Sequence, residues 1–516
     1  MIAEFRYLCR MSLKTTIARA WAAQRMQTID RQARQALSLQ YQTFRRLIDQ
    51  GQRTAFGQAH DFDGILTIED FQARVPVHDY EGRRAWFDRI ASGEPHVCWP
   101  GQPLYLAKTS GTTSGAKYIP ITRDSIAKQI LGARDTLMAY LHRSGNAHFL
   151  DGKMMFLSGS PEIDTNPHGM KVGRLSGIVN HFVPSYLTAN RVPSYQANII
   201  EDWEEKVARI VRETRRQDLR LISGIPPWVQ MLFEEVEAQT GKQPLEIWPN
   251  LSVFVQGGVD FSPYRPIFER YFQGRVDVVE LFPASEGFFA FQDDLRDAGL
   301  LLQPDYGIFY EFIPLAEYGQ ANARRLTLRD VQLGEQYVLV ISTNAGLWAY
   351  DIGDTVKFTS LDPYKVRVTG RVKHFISAFG EHVIVEEVNA AIMAASQATG
   401  AAFQEFTVAP LIREEKGASA HQWLVEFTQP PSEQAQFARL LDEHLQQRNP
   451  YYRDLREGHI LRQAEVQAIP LGASREYMRA QGKLGGQNKF PRLSNDRHIA
   501  EWLLSQGGAT TGGADA

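Results

Sequence analysis

Cysteine is almost missing from this chain: Cys9 and Cys98 are the only two in 516 residues. That excludes a disulfide scaffold and a cysteine-built metal site, and a reducing, cytoplasmic setting is expected. Long apolar runs are missing as well. No stretch approaches the ~18 uncharged apolar residues at which a membrane span begins. The opening segment, with its early arginines, reads as an amphipathic helix and not as a secretion signal or an organelle transit peptide. Charge of one sign is not in excess: 56 Lys and Arg face 59 Asp and Glu, a formal net charge of −3. Such balance offers nucleic acid or an anionic membrane no global attraction. His78, His168, His181, His374 and His382 lack metal-ligand spacing, and no G-x-S-x-G element marks a serine nucleophile.

The hydrophobic fraction of 43% and charged fraction of 22% belong to a folded globular chain too long for one core. Residues 13–56 read as mostly amphipathic helix, with the apolar stripe of LSLQYQTFRRLIDQG ending at Gly51. Further on the chain alternates. KMMFLSGS and LSVFVQGG are strand-like, WEEKVARIVRET and SPYRPIFERYFQG are helical, and VDVVELFPASEG is a strand ending in a loop. Strand, helix, strand at this spacing predicts a parallel sheet with helical cover. From residue 308, short β-branched and aromatic runs between turn residues predict a meander or distorted barrel. The fold class expected is α/β. A large N-terminal domain over 1–375 carries parallel and mixed sheets plus the distorted β-barrel part, a small α+β domain spans 376–505, and 506–516 is a disordered tail.

Several stretches invite chemistry, and each also has a plain structural reading. TSGTTSGAK (109–117) is not a Walker A loop, because that register puts Ala116 and Lys117 where Gly and Lys belong, with Tyr118 next. It is either a surface turn or an anion cradle. Gly111 and Gly115 free the backbone amides, Ser110, Thr112, Thr113 and Ser114 add hydroxyls, and Lys117 adds a positive charge. Gly257 and Gly258 close a strand where ligands of open parallel sheets collect, or they serve a packed βα turn. In FPASEG, Glu286 is either a magnesium ligand near phosphates or a solvated loop acid. In WAYDIGDTVKF, Asp354 either accepts two ribose hydroxyls or belongs to a tight turn. Finally RAQGKLGGQNKFPRL (479–493) carries Lys483, Lys489 and Arg492 on a glycine-rich loop that either reaches a nucleotide or stays on the surface.

Taken in order, these stretches resemble the adenylate-forming superfamily, and within it the GH3 family of acyl acid–amido synthetases. TSGTTSGAKYIPIT resembles the family's first ATP motif, FPASEG its Tyr-x-x-Ser-Glu motif and GLWAYDIGDTVKF its Leu-Tyr-x-Tyr-x-x-Gly-Asp motif. VPVHDY, LISGIPPWVQMLFE and NKFPR are similar to further family segments, so the resemblance runs from about 70 to 495.

The resemblance implies an ATP- and Mg²⁺-dependent ligase that adenylates a carboxylic acid and passes the acyl group to an amino acid or other amine. Ser110, Thr112 and Thr113, with the backbone at Gly111, Ser114 and Gly115, are then phosphate contacts. Gly257, Gly258, Phe282, Ala284 and Ser285 frame adenine, Glu286 lies near Mg²⁺, and Asp354 binds ribose. Lys489, on a mobile small domain hinged near 371–381, is the adenylation lysine, and Lys117 supports the loop or the leaving group. Leu175, Val179, Ile225, Trp228 and Val229 are placed along the acyl pocket.

Three positions depart from the family pattern. Phe282 replaces a tyrosine, Asp351 stands where plant members usually carry arginine, and His382 falls where they carry a lysine that reaches the nucleotide. Thioester formation with coenzyme A and a non-catalytic nucleotide-binding role are the alternatives. The expected partners are the acid and amine substrates of a monomer, with no nucleic acid and no membrane span.

Overall fold

The computed structural model describes residues 13–112, 115–182, 190–200, 202–258, 261, 264–371, 375–376, 378–381, 383–413, 419–481 and 490–507. The expected N-terminal helix is two, Leu13–Arg34 and Ala36–Gly51, broken where Gln35 leaves helical geometry (φ −100°, ψ 19°). The first is bolted to the body by a buried charge: Asp135 takes the Arg25 Nε at 2.8 Å and the Tyr306 hydroxyl at 2.6 Å.

An 11-stranded sheet forms the body of a large N-terminal α/β domain. Its first half is parallel, in the order Arg191–Val192, Lys153–Phe156, Leu219–Ser223, Val253–Gly257 and Asp277–Ala284. Helices cover it as the sequence periodicity predicts. In Trp203–Thr214 the buried set Trp203, Val207, Ile210, Val211 and Thr214 lies on one stripe, and Asp202 caps the helix by accepting the Glu205 amide at 2.7 Å. The strands from 308 onward do not stand apart from this sheet. They continue it antiparallel, from Gly287–Phe291 and Leu300–Leu302 through Tyr364–Arg371, Tyr350–Leu361 and Gln336–Thr343 to Ile308–Pro314. Among the described residues this strand order is open.

A second sheet carries the hairpin Tyr105–Thr112 and Gly115–Ile121, with Lys171–Gly173 parallel to its first strand. The smaller C-terminal α+β domain is built on Ala402–Leu411, Ala420–Gln429 and Glu465–Ala468, packed by the helices Val385–Thr399 and Gln434–Arg448. One apolar cluster unites Phe254, Tyr264 and Phe268 of the parallel half with Phe379, Val388, Trp423 and Tyr452. The two domains therefore share buried surface on the side where the parallel strands end. No helix among the described residues is long and apolar enough to cross a membrane.

Candidate active site

The hairpin strands face each other up to the pair Thr112 and Gly115, with an irregular register after Thr109. The backbone of Ser110, Gly111 and Thr112 thus leads directly into the tip, and Gly115 leaves it. Thr113 and Ser114 lie outside the described residues. The hairpin's second strand is pinned from below, where the Tyr118 amide donates to the Tyr80 hydroxyl at 3.1 Å. Lys117 places its Nζ 5.9 Å from the centre of the same Tyr80 ring. Tyr80, which belongs to the VPVHDY segment, is therefore the floor under the loop lysine.

Glu286 sits half-buried in the turn joining Asp277–Ala284 to Gly287–Phe291, with Ser285 before it. The turn is held by the long helix Arg123–Ser144, whose Gln129 donates to the Ala284 carbonyl at 2.8 Å. Phe282 is buried and packs its ring 4.9 Å from Phe289, so its face lies in the core.

Asp354 lies in Tyr350–Leu361, where Ile352, Gly353 and Asp354 bulge opposite Leu339 between the pairs Val340–Asp351 and Val338–Thr355. The bulge requires Gly353 at φ +82°, a conformation that costs a residue with a Cβ. Asp351 makes it rigid. One carboxylate oxygen accepts the Gly353 amide at 2.7 Å and the other the Tyr318 hydroxyl at 2.6 Å. The charge reversal read from the sequence is thus absorbed by local structure.

Tyr350 opens the strand that carries this bulge, and an isolated bridge joins it to His78, two residues before Tyr80. The Tyr350 hydroxyl is fully buried and lacks a hydrogen-bond partner among the described residues. Burial first, then the negative field of Glu286, with Tyr80, Asp79 and Asp351 behind it, raises its pKa well above the ordinary tyrosine value. Glu286, Tyr80, Asp79 and Asp351 thus all lie within electrostatic reach of this hydroxyl.

Gly257 ends its strand so close to its neighbour that a Cβ would stand 2.7 Å from the Leu281 carbonyl oxygen. Gly258 follows at φ +88°. Ile225 reaches from the start of the helix Pro226–Thr240 toward Gly258 on one side and Gly380 on the other. Of the other residues expected at the acyl pocket, Leu175 and Val179 pack partly buried against the antiparallel core. Trp228 rests 4.7 Å from Trp203, and Val229 is fully buried in the core.

The connector to the small domain is tied at both ends. Tyr264 donates its hydroxyl to the Ala378 carbonyl, and the buried Glu381 pairs with His421 at 2.7 Å and accepts the Phe379 amide at 2.8 Å. His382 and Lys489 lie outside the described residues. Arg492, just past Lys489, is anchored within the small domain by Glu405 at 2.7 Å and Asn389 at 2.8 Å.

Three features had no clear mark in the sequence. Lys206 is buried, with its ammonium on the carbonyls of Ser158 (2.9 Å) and Asn198 (2.7 Å). Burial pushes its pKa down to about 7, helped by the charge of Arg174. Arg174 pairs with Asp454, and Tyr451 donates its hydroxyl to the Lys108 carbonyl at 2.8 Å. The second joins the small domain to the loop hairpin, and the first joins it to the strand beside the hairpin.

No cluster of three or more His, Cys, Asp or Glu that could hold a metal by itself occurs among the described residues. Mg²⁺ in phosphate chemistry needs only one or two protein carboxylates, the phosphates supplying the rest. A single half-buried Glu286 in the turn after Asp277–Ala284 fits that requirement.

Comparison with known proteins bears on the family and the fold. Models of the GH3 family match in chain order: its N-terminal domain over residues 25–181 and 170–277, its central domain over 301–371 and its C-terminal domain over 386–498. The probable indole-3-acetic acid-amido synthetase GH3.2 of Oryza sativa subsp. japonica is 22% identical over 572 aligned positions, covering 94% of this chain and 92% of that protein. The indole-3-acetic acid-amido synthetase GH3.4 of Arabidopsis thaliana is 23% identical, covering 62% of this chain and 64% of its own. Among solved structures, the AtGH3.15 acyl acid amido synthetase in complex with 2,4-DB superposes with a TM-score of 0.60 at 16% identity, over 94% of this chain and 96% of that one. With all three family domains matched in order and the fold shared almost end to end, this chain belongs to the GH3 family.

Proposed function

We propose that this protein uses ATP to adenylate a carboxylic acid and transfers the acyl group to an amino acid or another amine, forming an amide and releasing AMP and pyrophosphate. The observation that carries the reading is the match of all three GH3 domains in chain order, and Lys117 over the Tyr80 ring and the half-buried Glu286 in its turn support it. In the first step the acid's carboxylate oxygen attacks the α-phosphate and pyrophosphate leaves. Catalysis of such a step is mostly positioning and charge stabilisation. The hairpin amides at 110–115 hold the outgoing phosphates, and Lys117, propped on Tyr80, faces the leaving group. Asp354 receives the ribose hydroxyls, and Gly257 and Gly258 give the adenine a flat backbone to lie against. Glu286 holds the Mg²⁺, which when bound neutralises phosphate charge. Lys489 approaches the α-phosphate from the small domain, whose motion is hinged near 371–381.

In the second step the amine nitrogen attacks the acyl carbon. The C–N bond forms, the bond to the AMP oxygen breaks, and the amine proton leaves to solvent. Two cysteines in the whole chain fit a reducing, cytoplasmic location for this chemistry. The test is mass-spectrometric detection of ATP-dependent conjugates from a pool of acids and amino acids, with indole-3-acetic acid and 2,4-DB among the acids. Acid-dependent ATP–pyrophosphate exchange is followed in parallel. Conjugates with AMP release are expected; neither conjugate nor exchange across the panel refutes the reading.

A further inference from the structure

The helix Pro450–Glu457 of the small domain lies on the loop hairpin, and its orientation is set by one buried residue. Asn449 caps the helix by accepting the amides of Tyr451 at 3.0 Å and Tyr452 at 2.8 Å, while its own amide donates to Glu387 at 2.9 Å. Two side chains on the helix then meet the large domain. Tyr451 donates to the Lys108 carbonyl, and Asp454 pairs with Arg174. Gly458 makes the close approach possible, since a Cβ there would stand 2.6 Å from that of Trp203.

Arg174 is the residue of interest. It follows the strand Lys171–Gly173, whose register pairs Ala107 with Gly173, so it stands beside Lys108 at the base of the hairpin. Its side chain crosses Gly159, just beyond the C-terminal end of Lys153–Phe156, where a Cβ would come within 3.0 Å of its Cδ. This is the edge at which ligands of a parallel sheet bind. The guanidinium is held only from the small-domain side: Asp454 supplies its one ion pair among the described residues, and the Tyr451 ring lies 4.9 Å below it. Lys206, buried behind this corner, places its ammonium on the Ser158 and Asn198 carbonyls. If the helix lifts, the Arg174 guanidinium faces the ligand edge without a carboxylate.

We infer that Arg174 binds the α-carboxylate of the acceptor amino acid, and that Asp454 occupies this position until the small domain moves. The inference rests on the proposed function and specifies its second substrate. A guanidinium recognises a carboxylate through two parallel N–H donors, so one released from Asp454 beside the acyl-phosphate site selects amines that carry a carboxylate. Asp454 thereby ties acceptor binding to domain movement: the acceptor site opens only when the helix leaves the hairpin.

Two nucleophiles separate this role from plain interdomain adhesion. Hydroxylamine traps an acyl-adenylate as hydroxamate without needing a carboxylate contact, whereas the amino acid acceptor needs one. With the acid found by pyrophosphate exchange, Arg174→Gln is expected to lower the ratio of amino acid transfer to hydroxylamine transfer at least about tenfold, the worth of a charge-assisted hydrogen-bond pair. It should also erase the preference for the amino acid over its carboxamide. Asp454→Asn is expected to lower the KM for the amino acid, because the competing carboxylate is gone. Adhesion alone predicts that both variants move the two transfers together. An unchanged ratio in Arg174→Gln, or a wild-type enzyme that uses the carboxamide as well as the amino acid, overturns the inference and leaves the amide synthetase standing. Absence of both exchange and hydroxamate in the wild type removes the two readings together.

Discussion

The Tyr318 hydroxyl donates to Asp351 at 2.6 Å, and this contact stands behind the bulge that presents Asp354. Both groups are largely shielded, and burial followed by the Asp351 charge raises the Tyr318 pKa far above the ordinary value. Asp351 also takes the Gly353 amide, so its removal leaves two donors without their acceptor. Asp351→Ala is expected to destabilise the protein by about 1–3 kcal/mol, and Tyr318→Phe by about 0.5–1.5 kcal/mol. Urea unfolding of the two variants checks the order. Equal stability of Asp351→Ala and wild type contradicts a structural role for this carboxylate.

Asp354 itself is expected to act on the ligand. Asp354→Ala removes an ionised acceptor from the ribose hydroxyls, which should weaken ATP binding by about 1.5–3 kcal/mol. Direct titration of ATP measures it. An affinity within twofold of wild type takes Asp354 out of contact with the nucleotide.

The candidate site segments stand out in the sequence because each is marked locally. Glycines at 111, 115, 257, 258 and 353, turn residues and short strands sit within a few positions of the side chains they serve. Topology was legible for the same reason in the parallel half, where strand and helix alternate. The meander's fate was not: whether strands 308–371 stand alone or extend the main sheet depends on the pairing of Leu300–Leu302 with Tyr364–Arg371, a long-range choice with no local signal. Arg174 and Asp454 lie 280 positions apart, and nothing in either neighbourhood announces the pair. Lys206 sits on a helix as one lysine among several charged residues, and only tertiary packing buries it. Asp351 reads in the sequence as a reversed charge, and nothing near it announces that it accepts the Tyr318 hydroxyl and the Gly353 amide.

Lys489 tests the moving half of the site. Arg492, three positions further on, is moored to Glu405 and Asn389 of the small domain. Lys489→Ala is expected to suppress acid-dependent pyrophosphate exchange by about 100-fold or more, as loss of a transition-state charge contact does, while ATP affinity changes little. Exchange at the wild-type rate eliminates this lysine from adenylation. A parallel loss of ATP affinity instead assigns it to ground-state binding.

Lys206 makes a prediction about pH. Burial holds its pKa at about 7 in the folded protein, against 10.5 for an ordinary lysine. Below pH 7 both folded and unfolded chains carry the proton, and the cost of burying the charge is fully present. Between about 7 and 10.5 the unfolded chain keeps a proton that the folded chain has released, so this group makes stability rise with pH. The slope is at most about 1.4 kcal/mol per pH unit. Lys206→Met keeps an apolar stem against Trp203 but removes the titration. Urea unfolding of wild type and variant at pH 7, 8 and 9 should show the wild type gaining on the variant at each step. A difference that stays flat across the series means that the ammonium is not held in a charge-averse site, and that its two carbonyl contacts compensate for its burial.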